Sequence, residues 1–68
     1  MYFVIELQKA ANDACSILTY HDDNWNYQQA ESVWHGKCQY AAISVIPCHT
    51  VMLVDVEGAV YKTETYAH

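Results

Sequence analysis

The chain has 68 residues, 53% apolar and 16% charged, with eight acids set against Lys9, Lys37 and Lys62, no arginine, and a formal net charge of −5. Disordered chains are poor in apolar residues, so this one is expected to fold, as a single domain near the size at which one core supplies about 3–5 kcal/mol and self-association often adds to it. Three scattered lysines make no cationic patch for a phosphate backbone or an anionic bilayer, which excludes nucleic acid and membrane surfaces as expected partners.

The run Tyr2-Phe3-Val4-Ile5-Glu6-Leu7 is dense in β-branched and aromatic residues and predicts a first strand over about 2–8. Alternation puts Phe3, Ile5 and Leu7 on one face and Tyr2, Val4 and Glu6 on the other. Asn12-Asp13 suits a turn, and Cys15 to Tyr20 reads as a second strand, about 14–21, closing a hairpin.

A helix is predicted over about 23–44, capped by Asp22 or Asp23. At about 100° per residue, Tyr27, Ala30, Trp34, Cys38, Ala41 and Val45 share a narrow arc, while Gln28, Gln29, Ser32, His35 and Gln39 lie outside it. Gly36 weakens this helix by about 1 kcal/mol relative to alanine, and Pro47 disfavours helical geometry at Ile46, which sets the end near Ser44. Trp25 falls opposite the stripe in a regular helix and is expected in the first turn, folded back over the sheet edge.

Two further strands are predicted over about 49–56 and 59–66, joined through Asp55-Val56-Glu57-Gly58, a type I turn sequence with Gly58 in a left-handed bulge position. That register opposes Asp55 to Ala59, Leu53 to Tyr61 and Val51 to Thr63. It turns Val51, Leu53, Tyr61 and Thr63 toward the helix and Met52, Val54, Val60, Lys62 and Glu64 away. The order ββαββ predicts an α+β domain, a four-stranded antiparallel sheet in order 2-1-3-4 with the helix on one face; 2-1-4-3, with parallel central strands, obeys the same connection rules.

One helix covers one side of a sheet, so the other side is the first candidate site: Tyr2, Val4, Met52, Val54 and Val60, with Glu6, Lys62 and Glu64 around them. An apolar patch with a charged rim suits a second copy of the chain, or another protein. Cys48, His49 and the returning His68 offer thiolate and imidazole groups of the kind zinc takes, but Cys48 and His49 are consecutive and no Cys-x-x-Cys pair exists, so neither metal nor cofactor is expected. His35 is separated from His49 and Cys48 by about 13 Å of helix rise, beyond the reach a Cys-His pair needs, and a domain this small has little room for a substrate cavity. A non-catalytic role is therefore expected, with a small enzyme or a metal-binding protein as the alternative. The three cysteines, Cys15, Cys38 and Cys48, cannot all pair within one chain, Cys38 lies on the apolar stripe, and no signal core is evident, which fits a reducing, cytoplasmic home.

The opening Met-Tyr-Phe-Val-Ile-Glu, the run Ala30-Glu31-Ser32-Val33-Trp34-His35, the run Ala41 to His49, then Glu57-Gly58 and the closing Tyr66-Ala67-His68 resemble a group of short uncharacterised proteins from gut Firmicutes bacteria and their phages. The chain departs from the group's more alanine-rich helix at Trp25, Gly36 and Cys38. The resemblance implies a stand-alone cytosolic protein, brings no activity with it, and marks His35, Pro47 and His49 as positions to test.

Overall fold

The computed structural model describes all 68 residues, Met1–His68. The elements run β1 (Tyr2–Lys9), β2 (Cys15–His21), α1 (Tyr27–Ile43), β3 (Cys48–Asp55) and β4 (Val60–Ala67). Every strand pair is antiparallel, in the order β2-β1-β3-β4, and α1 packs on one face: the α+β, ββαββ arrangement predicted, in the first of its two orders.

Both hairpins turn in the same way. In the second, Gly58 N–H donates to the Asp55 carbonyl and Asp55 N–H to the Ala59 carbonyl, with Gly58 at φ 90°, where a side chain would be strained. In the first, Asp13 N–H donates to the Ala10 carbonyl and Ala10 N–H to the Ala14 carbonyl, with Asp13 at φ 67°. Aspartate tolerates that left-handed region better than most residues.

The helix begins four residues later than expected. Asp22 accepts the Asn24 N–H and Trp25 N–H donates to the Asp22 carbonyl, so 22–25 closes a turn instead of a first helical turn. Asn26 is the cap: its side chain accepts the Gln29 N–H at 2.8 Å, and the Gln29 side chain accepts the Asn26 N–H at 3.0 Å. Trp25, just before the cap, packs on the core that holds Ala30, the pairing of an apolar residue before the cap with the fourth helical residue. Ala30, Trp34, Cys38 and Ala41 are buried as the stripe predicts, but α1 stops at Ile43 and leaves Val45 95% exposed in the loop.

Two expectations about which way strands face are overturned. In β1, Val4 is fully buried beneath α1 and Glu6 nearly so, with Tyr2 packed on the helix residue Tyr27, so Phe3, Ile5 and Leu7 take the open face. Register enforces this: Val4 opposes Leu53 and Glu6 opposes Val51, and residues directly opposed share a face. In β4, Val54 opposes Val60 as the turn dictates, but Leu53 then opposes Lys62, leaving Tyr61 as the extra residue of a bulge. That one residue reverses the rest of the strand: Lys62 and Glu64 move to the helix side, and Thr63 to the open side.

Tyr61 joins Tyr2 and Tyr27 in a ring of edge-to-face contacts, centroids 5.7–5.8 Å apart, and its hydroxyl donates to the Asp55 carboxylate at 2.7 Å. The hydrogen bond from Tyr61, with those from the Ala59 and Glu57 N–H groups, holds the Asp55 carboxyl below its usual range; the same bond pushes the Tyr61 phenol up to about 12. Lys62 reaches Glu31 at 3.3 Å and lies 5.3 Å from the centroid of the Trp34 ring.

A Cβ built on Gly36 meets nothing within 4 Å, so Gly36→Ala is expected to raise the free energy of unfolding by about 1 kcal/mol in urea titrations. Tyr61→Phe is expected to be less stable than the parent at neutral pH. The gap narrows in acid, as pH falls through the lowered Asp55 value, and in alkali, as pH rises from the ordinary tyrosine range toward 12. Unfolding midpoints measured across pH check both limbs.

Candidate functional site

The face turned away from α1 is built by alternate residues of all four strands. Phe3, Ile5 and Leu7 of β1 are flanked by Ile17 and Thr19 of β2, by Thr50, Met52 and Val54 of β3, and beyond these by Val60, Thr63 and Thr65 of β4. Seven of these are large apolar side chains, and Ile17 and Val60 are more than half exposed. The one charged residue on the face is Lys9, at a corner, paired with Asp13 at 3.4 Å.

Of the residues expected here, Met52, Val54 and Val60 lie on the open face. Tyr2, Val4 and Lys62 do not: Val4 is core, Tyr2 packs under the helix N-terminus, and Lys62 crosses to Glu31 and Trp34. Phe3, Ile5, Leu7 and Ile17 take their places, so the face is more apolar than the sequence suggested. The signal that locates them is Glu6, which reads as a solvent residue and drags Val4 outward with it unless a buried partner is found for it.

That partner is His49. Its Nδ1 lies 2.5 Å from Glu6 Oε2, and both side chains are almost fully buried between the sheet and α1. A carboxylate oxygen facing Nδ1 places the ring proton there, since the carboxylate can only accept. Gln8 donates to the same Oε2 at 2.9 Å. The other ring nitrogen, His49 Nε2, is buried without a hydrogen-bond partner. Above them the Trp34 indole N–H donates to the Val51 carbonyl at 3.0 Å, tying the middle of the helix to the central strand.

The remaining cysteines and histidines do not assemble. Cys48 opposes Lys9 and so faces the side away from His49, the His68 ring centroid is 6.5 Å from that of His49, and His68 Nε2 is engaged with the Ala41 carbonyl at 2.9 Å. No group of three metal-ligating side chains occurs. All three cysteines are free; burial pushes the Cys38 thiol up, away from the thiolate a nucleophile requires. His35 is exposed on α1, its ring against Trp34 at 5.0 Å. A cleft of about 470 Å³ opens between β1, β2 and the C-terminal half of α1, with Glu6 and His49 among its lining.

Searches against protein-family models, curated proteins and solved structures return no match. No helix is long and apolar enough to cross a membrane.

Replacing Glu6 by leucine leaves a buried imidazole nitrogen unpaired, at a cost of about 1–3 kcal/mol in unfolding free energy, and His49→Leu strands the carboxylate at similar cost. The double variant is expected to lose less than the sum of the two, by at least about 1 kcal/mol. A double-mutant cycle in urea at one fixed protein concentration measures this.

Proposed function

We propose that this protein works by association through its open sheet face, first of all with a second copy of itself. The observation that carries this is a face of seven large apolar side chains, spread over four adjacent strands, with a single charge at its corner. Exposed apolar patches of this extent on small domains mark interfaces.

The choice of a second copy rests on two further points. Only nine of the 68 residues are buried, so the isolated fold has a small core and gains stability from whatever covers Phe3, Ile5 and Met52. The face is also self-compatible: neutral across its centre, it meets its copy without opposing like charges, although each chain carries −5. Four strands at 4.8 Å spacing and 26 Å long make a footprint of about 500 Å² in plan, before side-chain relief. That is at the small end of stable interfaces, which suits micromolar rather than nanomolar affinity. Two such faces would stack about 10 Å apart with their strands roughly aligned, as in a sandwich.

In this proposal the role is non-catalytic and needs no metal or cofactor, and the compartment is reducing, such as the cytoplasm. Cys15 and Cys48 flank Lys9 from neighbouring strands on either side, about 10 Å apart and beyond disulfide reach, so the free thiols fit such a compartment. A bacterial or phage protein of the group it resembles would act there on its own copy or on a second protein.

Sedimentation velocity over a concentration series is expected to show a monomer–dimer equilibrium. Ile5→Lys or Val54→Glu should raise its dissociation constant more than tenfold, a loss of over about 1.4 kcal/mol. A monomer at every concentration rejects the proposal; a dimer unchanged by both variants moves the contact to a strand edge or to the helix side.

A further inference from the structure

The cleft beside α1 lies on the opposite side of the sheet from the open face and has its own chemistry. Its volume, about 470 Å³, falls in the range of small-molecule sites. Its walls are apolar and aromatic: Leu18, Tyr40, Ile43 and Val45, of which Tyr40, Ile43 and Val45 are 71%, 80% and 95% exposed. Such exposure of three large apolar residues around one opening is hard to account for by folding alone.

The polar groups favour one sign of charge. Glu6 is the only carboxylate in the lining. Both of its hydrogen bonds use Oε2; Oε1 makes none and is not among the fully buried unpartnered atoms, so it keeps some accessible surface on a residue that lines the cleft. Ala41, Ile43 and Ser44, at the C-terminal end of α1, form another wall; that end has no basic residue in its last turn and carries partial negative charge, of which the Ala41 carbonyl's share is taken up by the Ser44 N–H and His68 Nε2. The whole chain adds −5.

The one cation in the lining, Lys37, has no carboxylate partner. Its ammonium sits 4.0 Å from the centroid of the Tyr20 ring. The cleft thus already holds an alkylammonium group of its own against an aromatic wall, in the geometry of a cation–π contact.

We propose that this cleft binds an organic ammonium ion with a small apolar body, its head directed at Glu6 Oε1 and the carboxyl end of α1, its body against Leu18, Tyr40 and Ile43. Lys37, whose ammonium lies against Tyr20 in the same lining, is then a like charge that opposes the bound head. An anion drawn to Lys37 would instead have to lie beside Glu6 and the helix carbonyls, which oppose it.

The test titrates isotope-labelled protein with three matched probes, 2-phenylethylammonium, 2-phenylethanol and 3-phenylpropionate, following backbone amide shifts. The expected result is saturable shifts at Leu18, Tyr20, Tyr40 and Ile43 with the ammonium probe, at least tenfold tighter than with the alcohol, and none with the carboxylate. Lys37→Met should tighten the ammonium probe several-fold, and Glu6→Gln should reduce it to the level of the alcohol. Equal or tighter binding of the carboxylate, loss of ammonium binding in Lys37→Met, or no saturable shifts with any probe at millimolar concentration overturns the proposal. The probe ranking on the unaltered chain and the Lys37 variant decide the matter even if Glu6→Gln fails to fold.

Discussion

A single helix of 17 residues, about 25 Å long and 10 Å wide, has to cover a sheet of four strands, and everything else in this fold follows from how it does so. Its length matches the strands, but its width matches only the two in the middle. The helix therefore packs mainly on β1 and β3, where Val4, Val51 and Leu53 are fully buried, and leaves β2 exposed along nearly all of its length. Ala30, Cys38 and Ala41 bring the helix axis close to the sheet, and Trp34 reaches down to the Val51 carbonyl. The result is a thin core on one side and uncovered Phe3, Ile5 and Met52 on the other.

Within that thin core the Glu6–His49 pair sets direction. Burying two polar side chains under a helix costs desolvation that a hydrophobic pair would avoid, so it adds little net stability. Its effect is on alternatives. Slipping β1 by one residue against β3 would carry Glu6 to the open face and leave His49 buried without a partner, and the same slip would exchange Val4 for Ile5 beneath the helix. The pair thus penalises the face assignment that the hydrophobicity of β1 alone would favour, and by doing so sends Phe3, Ile5 and Leu7 outward.

This is also why the strands and their order were legible in the sequence and the faces only partly. Strand limits come out within a residue, because β-branched and aromatic runs bounded by Asn12-Asp13 and Glu57-Gly58 leave few choices, and the helical stripe of Ala30, Trp34, Cys38 and Ala41 follows from its period. The facing of β1 depends on a partner 43 residues away, which no local pattern encodes. The bulge at Tyr61 has no signature beyond an aromatic that finds Tyr2, Tyr27 and Asp55 once the extra residue is inserted. At the helix start four residues compete as caps, Asp22, Asp23, Asn24 and Asn26; the reciprocal glutamine at Gln29 singles out the last. For the open face, the residues of β3 and the first of β4 could be read correctly, while those of β1 and β2 required the register.

The shared turn geometry of the two hairpins has a consequence for how such sheets stack. Ala10 to Ala14 and Asp55 to Ala59 make the same pair of backbone hydrogen bonds, and each hairpin runs from an inner strand to an outer one. The two inner strands and the turns that leave them are thus related by an approximate half-turn about the normal to the sheet, with Leu7 falling on Met52 and Lys9 on Val54, while the bulge at Tyr61 has no counterpart in β2. A copy laid over this surface meets almost the same outline of ridges in two orientations. What tells them apart is the bulged outer strand, which has a regular counterpart, together with lopsided side-chain content: an ammonium at one corner where its counterpart is a valine, and Phe3 where its counterpart is Cys48.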